Sequence, residues 1–111
     1  MNKVKFYPSG KHEIKIDHET QSRFWVATSA HMMFTYFEVP PQKKFASHSH
    51  ESEQITYVIE GKLFFEIDKI IYPVGAGDLI SIPSFIEHSV WTEGEGAKAV
   101  DSWSPGNDKY L

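Results

Sequence analysis

Apolar residues in this chain come in short bursts, often alternating with polar ones, and no long stretch repeats them at intervals of three and four. Side chains on a strand point alternately to its two faces, so this pattern predicts strands rather than helices. The predicted strands are Phe24 to Ala27, Met32 to Val39, Phe45 to Ser47, Gln54 to Glu60, Lys62 to Ile67, Asp78 to Ile82, His88 to Thr92 and Ala97 to Trp103. Turn formers punctuate them: Pro40-Pro41, Glu60-Gly61, Asp68-Lys69, Gly75 to Asp78, Pro83-Ser84 and Glu93 to Gly96. Residues 10 to 23 are polar and suit one short helix or an extended edge segment. Many short strands with regular punctuation predict an all-β sandwich or jelly-roll barrel. In Met32 to Phe37, one face of the strand is expected to line the core or a pocket.

Length and composition narrow this further. With 111 residues, 41% of them hydrophobic, and no visible linker, repeat or low-complexity tract, the expectation is one folded domain over residues 1–111. No apolar run approaches a membrane span, and Met1-Asn2-Lys3-Val4 does not open like a signal peptide, so a cytoplasmic protein with no membrane partner is expected. A net charge of −4 without a basic cluster argues against nucleic acid. There is no cysteine, so any metal must be held by nitrogen and oxygen.

The chemistry concentrates in two segments. His48 and His50 are two apart and face the same way on an extended chain, and continued parity brings in Gln54. His88 follows a strand bounded by Gly77-Asp78 and Pro83 and is placed at the start of the next strand, at a barrel mouth. Imidazole with oxygen suits nickel, zinc, iron, manganese or cobalt. With glutamine instead of a carboxylate the ligand set is neutral, so a bound dication keeps its full charge for an anionic substrate oxygen or a developing enolate. It also lacks the carboxylate of the facial triad found in many iron oxygenases. Glu53 has the opposite parity and reads as a solvated charge near the rim. His12, His18 and His31 read as surface or capping groups.

The run from His48 to Gly61, followed by Gly77-Asp78, Ile82-Pro83 and His88, resembles the paired motifs of the cupin superfamily across about residues 30 to 104. The resemblance implies a jelly-roll barrel holding one divalent metal through His48, His50, Gln54 and His88, and commonly a homodimer. Within the cupins, Glu53-Gln54, Tyr57 to Gly61, and Asp101-Ser102-Trp103-Ser104-Pro105 with Asp108 and Tyr110 resemble the KdgF family, associated with turning unsaturated uronates into linear keto forms. This implies that Asp101 is the catalytic acid/base, that Trp103 replaces a substrate-stacking phenylalanine, and that the substrate is an anionic sugar derivative. Asp101 and Trp103 share strand parity, so both face the interior or neither does. Where that family typically has an arginine after Ser104-Pro105, this chain has Gly106-Asn107, which leaves the metal, Arg23, Lys43 or Lys44 to meet a substrate carboxylate, or else the substrate differs. Two other functions stay open: a metal-dependent dioxygenase of a small enol or diketone, and a non-catalytic ligand-binding cupin.

Overall fold

The computed structural model describes residues 3–111 and is built almost wholly of strands. They are β1 (Lys15–Asp17), β2 (Ser22–Thr28), β3 (Met33–Val39), β4 (Lys44–His48), β5 (Glu53–Ile67), β6 (Ile70–Gly75), β7 (Leu79–Ile82), β8 (His88–Trp91) and β9 (Ala97–Ser104), followed by a 3-10 turn, Asp108–Tyr110. All pairings are antiparallel. One sheet runs β1-β2-β3-β9-β5-β7 and the other β6-β5-β8-β4, and together they form a jelly-roll β-barrel.

β5 belongs to both sheets. Its first half pairs with β7 and β9, its second with β6 and β8. Glu60-Gly61, expected as a turn between two strands, is instead a kink within one. The register to β9 shifts between Val58 and Glu60, and Gly61 adopts φ +77° with its backbone against Gly96. A Cβ there would lie 1.9 Å from the Gly96 carbonyl, so only glycine lets the strand cross between sheets without breaking.

Two strands lie outside the expected set. β6 contains Pro73, which removes one ladder donor, and it pairs with β5 alone, as an edge strand can. The Asp68-Lys69 turn that feeds it has both residues at positive φ, the geometry of a tight two-residue hairpin. β1 realises the extended-edge option for residues 10 to 23. Its turn back to β2 is fixed by Asp17, whose carboxylate accepts from the Thr20 amide at 3.0 Å and the Thr20 hydroxyl at 2.7 Å.

Alternation holds across the site-bearing sheet. Met33, Thr35, Phe37 and Val39 on β3, Gln54, Thr56 and Val58 on β5, and Ala97, Ala99, Asp101 and Trp103 on β9 are all buried. The aromatic residues Phe24, Phe37, Phe45 and Tyr110 pack at the centre with ring centroids 4.8 to 6.0 Å apart. On the outer face of the same sheet Ile55, Tyr57, Ile59 and Leu79 are exposed. Among the described residues no helix is long and apolar enough to cross a membrane.

Candidate metal centre

Antiparallel pairing sets His48 directly opposite His88 across β4 and β8. His50 lies just beyond β4, where the chain bends at Glu51-Ser52 before entering β5. The three rings lie with centroids 4.4 to 5.5 Å apart, and one nitrogen from each falls within 4.8 Å of the others. The Gln54 side-chain oxygen is 3.1 Å from His50 Nε2.

The orientation of each ring is fixed from behind. His48 Nδ1 is 2.7 Å from the Ala46 carbonyl, His50 Nδ1 is 2.9 Å from the Ser52 carbonyl, and His88 Nδ1 is 2.8 Å from the Ile86 carbonyl. A carbonyl only accepts, so each Nδ1 carries the proton and each Nε2 presents a lone pair. His50 Nε2 and Gln54 Oε1 therefore face each other as two acceptors, and buried His88 Nε2 has no hydrogen-bond partner. Lone pairs converging without a donor fit a cation. Bonds of about 2.0 to 2.1 Å from imidazole to one metal place the nitrogens within the observed separation. Burial lowers the His48 pKa and, with His48 and His50 adding to it, takes that of His88 to about 4, so both rings are neutral near pH 7.

Behind Gln54 lies a row of three residues across β3, β9 and β5: Thr35, Asp101 and Thr56. Trp103 Nε1 donates to the Thr35 hydroxyl at 2.9 Å, and Thr35 donates to Asp101 Oδ2 at 3.2 Å. Gln54 Nε2 donates to the Thr56 hydroxyl at 2.9 Å and reaches Asp101 Oδ1 at 3.4 Å, while Thr56 donates to the same Oδ1. Asp101 is buried, and burial pushes its pKa to about 6 against the pull of the hydrogen bonds from Thr56, Thr35 and Gln54.

His48, Gln54, His88, Asp101, Trp103 and Tyr110 line one cavity of about 40 Å³. That is room for an ion with a water or two, but not for a sugar ring. Trp103 is 4% exposed, its ring centroid 5.3 Å from that of His50 and the two planes inclined at 68°. Asn107, the residue in the arginine position, accepts from the Lys109 amide at 3.1 Å and caps the turn that seats Tyr110 against Phe24, Phe37 and Trp103. The cations named from sequence lie elsewhere. Arg23 pairs with Glu38 at 3.1 Å, Lys44 lies over the Trp91 ring, and Lys43 lines an outer groove with Glu66. Lys109, not singled out in the sequence, sits close enough to His48 to lower its pKa, and it pairs with Glu19 at 3.7 Å. Glu19 also accepts from the Ala46 amide at 2.8 Å and so ties β4 to the C-terminal turn. Phe85, 69% exposed, holds φ +64° while its amide donates to the His50 carbonyl at 2.8 Å. A bulky residue in that region is strained, and here it links the two segments that carry His50 and His88. Glu53 is exposed, as are His18 and His31, and His12 stacks on Trp25 at 5.3 Å.

The cupin domain family, Cupin_2, matches residues 35–103. No curated protein matches the chain by sequence. Among solved structures, an RmlC-like cupin from Shewanella frigidimarina NCIMB 400 superposes with a TM-score of 0.86 at 21% identity, covering 98% of this chain and 97% of that one. KdgF from Halomonas sp. gives 0.86 at 22% identity, covering 98% and 100%. The polyketide cyclase RemF from Streptomyces resistomycificus gives 0.78 at 22% identity, covering 92% and 80%. At these identities the likeness is one of fold.

Proposed function

The chain belongs to the cupin domain family, and from that premise we propose that it is a metal-dependent cupin acting on a small carbohydrate-derived acid, by linearisation and ketonisation of an unsaturated uronate. One observation carries the reading: the Nε2 lone pairs of His48, His50 and His88 and the Gln54 oxygen converge with no donor among them. None of the four is a carboxylate, so a divalent ion bound there would keep its charge and polarise a substrate oxygen. Nickel, zinc, iron and manganese all suit such ligands.

Asp101 would supply the proton chemistry. A carboxyl group with a pKa of about 6 can both take and return a proton near neutrality, and it lines the same cavity as His48, Gln54 and His88. The cavity is too small for the ring, so the substrate would lie at the mouth and direct its reacting atoms inward. There Lys109 would meet the substrate carboxylate in place of an arginine, exchanging its contact with Glu19. Trp103 would act as a wall beneath the substrate. The likeness to Halomonas KdgF over the whole of both chains is consistent with this reading. Exposed Ile55, Tyr57, Ile59 and Leu79 would be covered in a homodimer, readable as a doubled mass by sedimentation.

The test is loss of the ultraviolet absorbance of a 4,5-unsaturated uronate with protein loaded in turn with nickel, zinc, iron and manganese, against a chelated control. Metal-dependent loss establishes the reading. Folded, metal-loaded protein that leaves the absorbance unchanged with every metal ends it.

A further inference from the structure

A carboxamide is nearly symmetric in shape, yet only its oxygen can bind a cation; turned round, it would present an NH2 group to the metal. Something must hold Gln54 the right way. The three histidines do not: with Nδ1 of His50 committed to Ser52, its Nε2 is an acceptor and, in the metal-free protein, would attract the NH2 end. We infer that Asp101 is a positioning residue for the metal, holding the NH2 end of Gln54 away from the histidines so that its oxygen faces them. The inference rests on the metal site proposed above.

The polarity of the network supports it. An indole N–H only donates, so the Trp103 contact obliges the Thr35 hydroxyl to send its proton on to Asp101. The Thr56 hydroxyl likewise gives its proton to Asp101 and is left as an acceptor for Gln54 Nε2. Every group facing Gln54 from behind is therefore an acceptor. A reversed amide would set its oxygen against Asp101 Oδ1 and Thr56 Oγ1, both buried. Hydrogen bonds to a buried carboxylate outweigh the neutral one that the NH2 group would gain from His50.

Exchanging the two functional groups tests this. Asp101→Asn can offer Gln54 either an oxygen or an NH2 group, so the amide loses its orientation. Cobalt and zinc affinity should fall about 10- to 100-fold, as it does when outer partners of metal ligands are removed. Gln54→Glu alone sets two carboxylates together and should also bind poorly. Combined, Gln54→Glu and Asp101→Asn pair a symmetric carboxylate with an NH2 donor, and affinity should return to within a few-fold of wild type, with the cobalt absorption band restored. Because the double variant also restores the charge, orientation is read separately in the wild-type protein. The Gln54 NH2 protons should show NMR proximity to the Thr56 methyl group and not to the His50 ring. Unchanged affinity in Asp101→Asn, no recovery in the double variant, or NH2 protons close to His50 would each overturn the inference. Wild-type protein that binds neither cobalt nor zinc would instead remove the metal reading, and this inference with it. If Asp101→Asn does not fold, the wild-type NMR measurement still decides.

Discussion

Gln54 and Trp103 lie opposite each other across β5 and β9, and each passes an N–H through one threonine to the same carboxylate, Asp101. Trp103 thus has a task that neither packing nor stacking describes: it sets the direction of the hydrogen-bond chain. Trp103→Phe keeps an aromatic ring and removes the donor. It should cost about 1–3 kcal/mol for the partner left unsatisfied, and lower metal affinity although the ring never touches the ion. Denaturant melts in chelator and metal titration read the two effects apart; unchanged metal affinity would show that the indole is only core.

In the metal-free protein Asp101 should offset part of the pH dependence that His88, and His48 in the same sense, give to stability between pH 4 and 6.5. The folded pKa of His88, about 4, lies below its ordinary 6.5, so its contribution is complete above 6.5 and lost as pH falls toward 4. Asp101 runs the other way, since its folded pKa of about 6 lies above its ordinary 3.8. Its contribution is complete below 3.8 and lost as pH rises through 6. Over this window unfolding therefore takes up protons at His88 and His48 and releases one at Asp101. Replacing Asp101 by asparagine removes the opposing side, and the melting temperature of the variant should then drop more steeply than that of wild type as the pH is lowered from 6.5 to 4. A variant profile no steeper than that of wild type would contradict this.

His88→Ala should separate binding from folding. It removes one of the proposed ligands, so metal retention by the loaded protein should fall at least tenfold on dialysis. It also removes a buried nitrogen that lacks a partner, so the metal-free protein should lose less stability than other core truncations, which cost about 2–5 kcal/mol. A wild-type melting temperature that climbs with added metal, by about 4 kcal/mol of stabilisation at a thousandfold excess over Kd, and an unresponsive variant complete the test.

Tyr110 closes the barrel from the C-terminal side, and Tyr110→Ala should cost about 3–5 kcal/mol by leaving a hole among Phe24, Phe37 and Trp103. Asn107→Ala, which removes only the cap on that turn, should cost about 0.5–2 kcal/mol. Both are read from denaturant melts, and a cap variant as damaging as the tyrosine variant would mean that Asn107 does more than shape the turn.

Much of this site could be read from the chain because its information is local. Two residues apart on a strand means one face, which brings His48 toward His50 and sets Asp101 and Trp103 facing inward together. His88 was legible from the turn and proline before it. The partners of Asp101 were not. Thr35 and Thr56 are ordinary strand threonines, and only the cross-strand register of β3, β9 and β5 puts them in one row. Lys109 has no local signal for the same reason, since its contact with Glu19 depends on how a C-terminal turn folds back over the barrel. β6 is not predicted from sequence because Pro73 argues against a strand unless the strand is known to be an edge. β5 reads as two strands because Gly61 suggests a turn, although here it marks a change of sheet.

That crossing has a mechanical consequence. β5 carries Gln54 near one end, and along its length it is hydrogen-bonded to four other strands. The two walls of the barrel share this strand as a common spine, so neither can peel away without straining the other. Opening fluctuations should be all-or-none here, with β5 amides the last to exchange with deuterated solvent. A methyl group introduced at Gly61, remote from the histidines in sequence, should then speed exchange in both walls at once and shorten the lifetime of a bound ion.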